Sequence, residues 1–154
     1  MATETIVTFT IPGHWVTERK RSVNAGKFRR HIDTPDRADF KAKVALFARQ
    51  AMRGVQPLEG PLRMEVTFSK PKPDSWPKGP TRGNPWPWAP WKKPDVDNLV
   101  KIVSDPLSGI VYADDAQICE RTERKVWGEW GVEIRLEQVL GLSPGETGEG
   151  DQDD

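Results

Sequence analysis

The run Ile6-Val7-Thr8-Phe9-Thr10-Ile11 is apolar and β-branched and stops at Pro12-Gly13, which predicts a strand closed by a turn. Residues 14–34 are polar and basic without a period and read as a loop. From 36 to 53 the apolar residues Phe40, Val44, Phe47, Ala48 and Ala51 recur at helical spacing, with Asp36 as candidate N-cap and Gly54 as the stop. Leu62 to Phe68 alternates apolar with polar, the period of a strand. Residues 97–105 read as a short helix that turns Val96, Leu99, Val100 and Val103 to a core. Pro106 lacks an N–H and biases Asp105 away from helical geometry, so this helix is expected to kink or end there. Ile110-Val111-Tyr112 reads as a brief extended piece. Residues 117–127 and 131–139 read as two strands joined by a turn at Gly128-Glu129-Trp130-Gly131. This order predicts an α+β domain, a small mixed sheet packed with two helices.

Two stretches stand outside that pattern. Residues 70–93 hold seven prolines and four tryptophans, which excludes a helix or a central strand. A loop of such length inside a compact domain is usually functional or disordered. Beyond Leu142 the chain is Gly, Pro, Glu and Asp, and a disordered acidic tail is expected. The division is therefore a domain over 1–140, with 70–93 as a loop insertion, and a tail over 141–154.

Composition changes this picture little, and charge changes it more. A chain of 154 residues fits one domain, and 36% hydrophobic against 30% charged residues suits a domain with unpacked segments. The chain lacks an apolar run long enough for a bilayer and a basic-then-apolar start, so neither a membrane span nor a secretory signal is expected. The lone Cys119 excludes an internal disulfide and a Cys-rich zinc site, and makes the reducing cytoplasm the expected location. The formal net charge of zero hides a segregation. Residues 138–154 carry five acids and no base, whereas 14–53 carry eleven bases against four acids. A basic front raises the local concentration of a polyanion. Arg19, Lys20, Arg21, Lys27, Arg29 and Arg30, with Lys92 and Lys93, are therefore candidate contacts to a polyanion such as nucleic acid, the plain alternative being a solvated surface.

The candidate chemistry is a set of carboxylates. Asp95 and Asp97 sit two apart at a helix start, and residues two apart in extended chain point the same way. Lys101 follows Asp97 by one helical turn, and Asp114-Asp115 closes the piece that begins at Ile110. Three oxygen donors around one point suit a hard cation such as magnesium or manganese. The ordinary alternative is capping and turn formation by the same aspartates. An EF-hand loop is excluded, because its glycine position is Val100 and its final glutamate position is Pro106. Zinc catalysis is disfavoured, since His14 and His31 have no partner at ligand spacing.

The segment Lys93-Pro94-Asp95-Val96-Asp97-Asn98-Leu99-Val100-Lys101, then Asp105, then Val111-Tyr112-Ala113-Asp114-Asp115-Ala116-Gln117-Ile118, resembles the RusA family of Holliday junction resolvases. The resemblance extends more loosely over 6–137. It implies a RusA-like fold and a homodimer that binds a four-way DNA junction and nicks two opposed strands with magnesium or manganese. It further implies that Asp95, Asp97 and Asp115 are metal-binding aspartates and Lys101 an essential lysine. Asp105 and Asp114 would be supporting positions. Many members are encoded by phages and prophages. Pro106, where the family usually has Ala, and the long Trp/Pro stretch depart from the pattern. Alternatives are an endonuclease for branched or flap DNA in general, and a DNA-binding protein without catalysis. For Trp76, Trp86, Trp88 and Trp91 two readings stand. In one, a mobile loop orders over a branch point and stacks on its bases; in the other, tryptophans cover a sheet edge or a dimer interface.

Overall fold

The computed structural model describes residues 4–15, 21–25, 28–32 and 35–139, with the backbone alone described over 21–32. The elements are β1 (Ile6–Pro12), β2 (Arg21–Ala25), β3 (Phe28–Ile32), α1 (Pro35–Ala51), β4 (Leu62–Lys70), α2 (Val96–Leu107), a 3-10 turn at Asp115–Gln117, β5 (Ile118–Trp127) and β6 (Gly131–Gln138). Four strands form one mixed sheet in the order β1-β6-β4-β5. β6 lies antiparallel to both β1 and β4, and β4 pairs in parallel with β5. The fold is α+β, as the order of elements predicts.

Alternation in the strands sets the two faces of the sheet. Leu62, Met64, Val66 and Phe68 of β4 and Val132, Ile134 and Leu136 of β6 are buried. They meet the stripe Phe40, Val44 and Ala48 of α1 and Leu99, Val100, Val103 and Leu107 of α2 in one core. Each such side chain contributes about 1.5–3 kcal/mol on burial. The opposite face is a lattice of charges. Arg63 on β4 reaches Glu120 on β5 at 2.5 Å and Glu137 on β6 at 2.6 Å, and Arg135 reaches Glu137 at 3.0 Å and Glu65 at 3.3 Å. Among the described residues, no helix is long and apolar enough to cross a membrane.

Four local expectations are revised. Residues 14–34 are not all loop, because β2 and β3 pair antiparallel there. Among the described residues that ribbon pairs only with itself, so no neighbouring strand of the main sheet fixes its register. Asp36 is not the N-cap of α1: Pro35 already occupies the first helical position, which suits its fixed φ and missing N–H. Pro106 does not stop α2, which runs on to the fully buried Leu107. A proline this close to the end removes one bond of the final turn, and the packing of Leu107 holds that turn in place. Finally, the segment Ile110–Tyr112 is mostly a turn. The N–H groups of Ile110 and Val111 return to the Leu107 carbonyl at 3.0 Å, and Tyr112 bridges Leu58 and Ser108. The short turn after β5 does join two strands, but β4 lies between them.

Candidate active site

The loop after β4 delivers the chain to Asp95, the N-cap of α2, in extended backbone. An N-cap aspartate usually satisfies the first free N–H groups of its helix. The carboxylate of Asp95 makes no such bond. It is 46% exposed and pairs with Lys93 Nζ at 2.8 Å. The backbone that carries it is tied from the edge strand β5: Lys125 Nζ donates to the carbonyl of Lys92 at 2.7 Å and of Pro94 at 2.8 Å. Burial, and then the charge of Lys70, pull Lys125 below the ordinary lysine range, while Asp95 opposes that shift. Asp97, Lys101 and Asp105 are all exposed, and their four-residue steps make one stripe along α2. Asp105 also meets Lys41 of α1 at 3.6 Å.

The second group of acids precedes β5. Asp114 caps the 3-10 turn by accepting from the Ala116 N–H at 2.9 Å. That bond, and then its hydrogen bond with Asp115, hold the Asp114 carboxyl below the usual range. Asp115 is pushed the other way by its hydrogen bond with Asp114, by burial, and by the charges of Asp114 and Asp105. Gln117 clamps this turn. Its Oε1 accepts from the N–H groups of Ala113 at 2.9 Å and Asp114 at 3.1 Å, and its Nε2 donates to the carbonyls of Leu58 and Gly60. The buried Tyr112 hydroxyl donates to the Ser104 carbonyl at 3.0 Å and so ties the turn to α2. A cleft of about 280 Å³ opens here, with Ser104, Asp115, Arg121 and Glu123 among its walls.

The acids therefore stand in two groups. Asp95 and Asp97 lie at the start of α2, and Asp105, Asp114 and Asp115 lie by its second half. At 1.5 Å per residue, Ser104 is roughly 10 Å along the helix from Asp97. Among the described residues of one chain, no three His, Cys, Asp or Glu side chains are arranged to hold an ion. In kind the donors fit a hard divalent cation, being carboxylate oxygens: Asp95, paired with Lys93, and the adjacent Asp114 and Asp115. In place, one chain does not gather Asp95, Asp97 and Asp115 into a cage.

The remaining candidates divide. Arg19, Lys20 and Lys27 lie outside the described residues, as does the acidic tail. Arg21 falls on β2, and Arg29 and Arg30 on β3, with side chains outside the description. Lys93 is occupied with Asp95, and Lys92 Nζ sits over the rings of Trp76 and Trp91 at 5.4 and 5.3 Å. Sequence reasoning did not single out Lys125, Gln117 or Glu123. Gln117 stood within the recognised motif, but the work of Lys125 depends on β5 lying beside a loop about thirty residues earlier, which no local signal shows.

Exposed acids at a helix start and a second acid turn are donors of the kind that metal-assisted phosphodiester chemistry uses. The family described as Endodeoxyribonuclease RusA matches residues 12–137. The chain belongs to this family, and so to the endodeoxyribonucleases. It is also similar to the uncharacterized protein YqaN of Bacillus subtilis (strain 168), with 34% identity over 140 residues, 86% of this chain and 96% of that protein.

Proposed function

We propose that this endodeoxyribonuclease resolves four-way DNA junctions by paired nicks, acting as a homodimer in the cytoplasm with magnesium or manganese. The observation that carries the metal reading is Asp95: a carboxylate at an N-cap, half exposed, that makes no capping bond. Asp95, Asp97 and Asp115 would hold the ion. A divalent ion held by them would supply Lewis-acid chemistry, activating water and offsetting charge on the phosphoryl group. Lys101, one turn past Asp97, adds positive charge where the phosphoryl oxygens gain negative charge. Lys93 balances Asp95 until DNA and metal arrive, and Asp105 and Asp114 support the site through Lys41 and the Ala116 N–H.

The test is nicking of a labelled four-way junction, a flap and a linear duplex, with and without magnesium. Asp95→Asn, Asp97→Asn and Asp115→Asn should each lower cleavage by more than about a hundredfold. Junction binding should persist or tighten, because each change removes a charge that repels phosphate. Wild-type rates in any of the three variants overturn the assignment. Equal cutting of junction and flap favours the broader reading, an endonuclease for branched DNA in phage genome processing.

A further inference from the structure

The Trp/Pro loop is a built surface. Asn84 is its hub: its Oδ1 accepts from Trp91 Nε1 at 2.8 Å and from the Trp86 N–H at 3.2 Å, and its backbone closes a turn on Thr81. The Pro87 carbonyl accepts from Trp76 Nε1 at 2.9 Å and from Trp127 Nε1 at 3.0 Å. Through this pair of bonds the loop is anchored to the end of β5, the sheet's edge strand, where Trp76 packs edge-on against Trp127 at 5.1 Å. The four tryptophans therefore have different work. Trp76 covers the sheet edge. Trp86, Trp88 and Trp91 stay 53%, 67% and 44% exposed.

Burial does not explain that exposure. Three large apolar rings left in water within six residues are an unsatisfied surface, and such patches mark interaction sites. Charge identifies the occupant. Residues 70–93 carry six bases, Lys70, Lys72, Lys78, Arg82, Lys92 and Lys93, against the single acid Asp74. Lys92 Nζ lies between the rings of Trp76 and Trp91, and Trp91 meets Trp86 edge-on at 5.7 Å. The next residue, Lys93, reaches Asp95. Aromatic faces interleaved with cations and running into the catalytic start are the chemistry that binds unpaired bases and their phosphates together. A partner protein would more readily meet such rings with fewer lysines, since lysine is depleted at interface cores.

We propose that Trp86, Trp88 and Trp91, positioned by Asn84, form a stacking platform for bases unpaired at a DNA branch point. The proposal rests on the branched-DNA reading above and adds the subsite by which the branch is recognised. Its ligand is a nucleobase freed from its neighbours, so the platform should discriminate branched from linear DNA, whereas the lysines alone should not.

The experiment measures binding of the full chain in calcium, without cleavage, to a four-way junction and to a linear duplex of the same sequence. A 2-aminopurine at the branch point reports unstacking. Trp86→Ala/Trp88→Ala should lose about tenfold or more in junction affinity, change duplex affinity less than twofold, and reduce the 2-aminopurine signal. Trp86→Phe/Trp88→Phe should retain most of the wild-type preference, and Trp88→Ala alone should lose part of it. Equal loss on both DNAs, no loss on either, or dissociation of the dimer with unchanged affinity per dimer overturns the platform. A wild-type protein that nicks the junction while the alanine variant binds normally refutes the platform alone. A wild-type protein with no preference for the junction refutes the junction reading as well.

Discussion

Single side chains act here mostly through the backbone they hold. Lys125 makes no direct claim on DNA, yet its ammonium fastens the two carbonyls that bracket the approach to Asp95. Lys125→Met should keep the fold and junction affinity but lower cleavage roughly tenfold to a hundredfold and raise the magnesium concentration needed, the range seen when supports of a metal ligand are removed. Lys125→Arg should recover part of the loss. Unaltered magnesium dependence in Lys125→Met would show that the tether does not position Asp95. Glu137 acts on stability instead. Hydrogen bonds from Arg63, then from Arg135, hold its carboxyl below the usual glutamate range, and it is only 7% exposed. A lowered folded-state value means stability that is present above the unfolded pKa and lost as pH falls through the folded one. Glu137→Gln should therefore lower Tm by a few degrees at neutral pH. The gap from wild type should close as the pH drops below the ordinary glutamate range. A gap of equal size at acid pH would mean that packing, not charge, is what was lost.

At the scale of elements, the acid turn before β5 shows how a short motif is made rigid. Asp114 and Gln117 form a capping box at the start of one 3-10 turn, and Gln117 also bridges to the chain at Leu58 and Gly60. Asp115 lies between them and is held largely by the turn that they fix. Gln117→Leu removes four hydrogen bonds at once and leaves Asp115 on a loose turn. Cleavage should fall by about tenfold to a hundredfold while DNA binding stays near wild type. Hydrogen exchange at Ala113 and Asp114 should rise in the same variant, and protected amides there would sink this account. The helix α2 depends on its neighbours in a similar way: Pro106 is tolerated because Leu107 is packed, not because the local sequence favours helix.

The whole molecule raises a question that no element answers: how acid groups standing apart would serve the one ion proposed above. Asp95 and Asp97 open α2, and Asp115 stands by its far half, so a site within one chain must span the length between them. A homodimer offers a shorter route, if the helix start of one protomer faces the acid turn of its partner. Mixing Asp97→Asn with Asp115→Asn protein would then rebuild one intact site per mixed dimer. Nicking of a single junction strand should return to a sizeable fraction of wild type, although each variant alone is inactive. No recovery in a verified mixed dimer would place all three aspartates in the same chain.

Much of this protein was legible without coordinates. Alternation in β4 and the stripe of α1 specify which faces are apolar, because burial rewards a period that matches the element. The pair Asp95/Asp97, Lys101 and the Asp114-Asp115-Ala116-Gln117 turn were readable as chemistry, since their spacing is local. The pairing of β2 with β3 was not legible, because their sequence carries no clear strand period. Nor did local spacing decide which tryptophans find a partner in the sheet: Trp76 meets Trp127 at 5.1 Å, while Trp88 stays exposed. The sequence alone determined the helices and the strands with a clear apolar period, their core faces and the candidate residues for chemistry, all set by short-range period and composition. Tertiary structure alone decided the insertion of β4 between β5 and β6, the Lys125 tether and the division of the acids along α2. Those depend on contacts between distant segments, whose geometry no local pattern encodes.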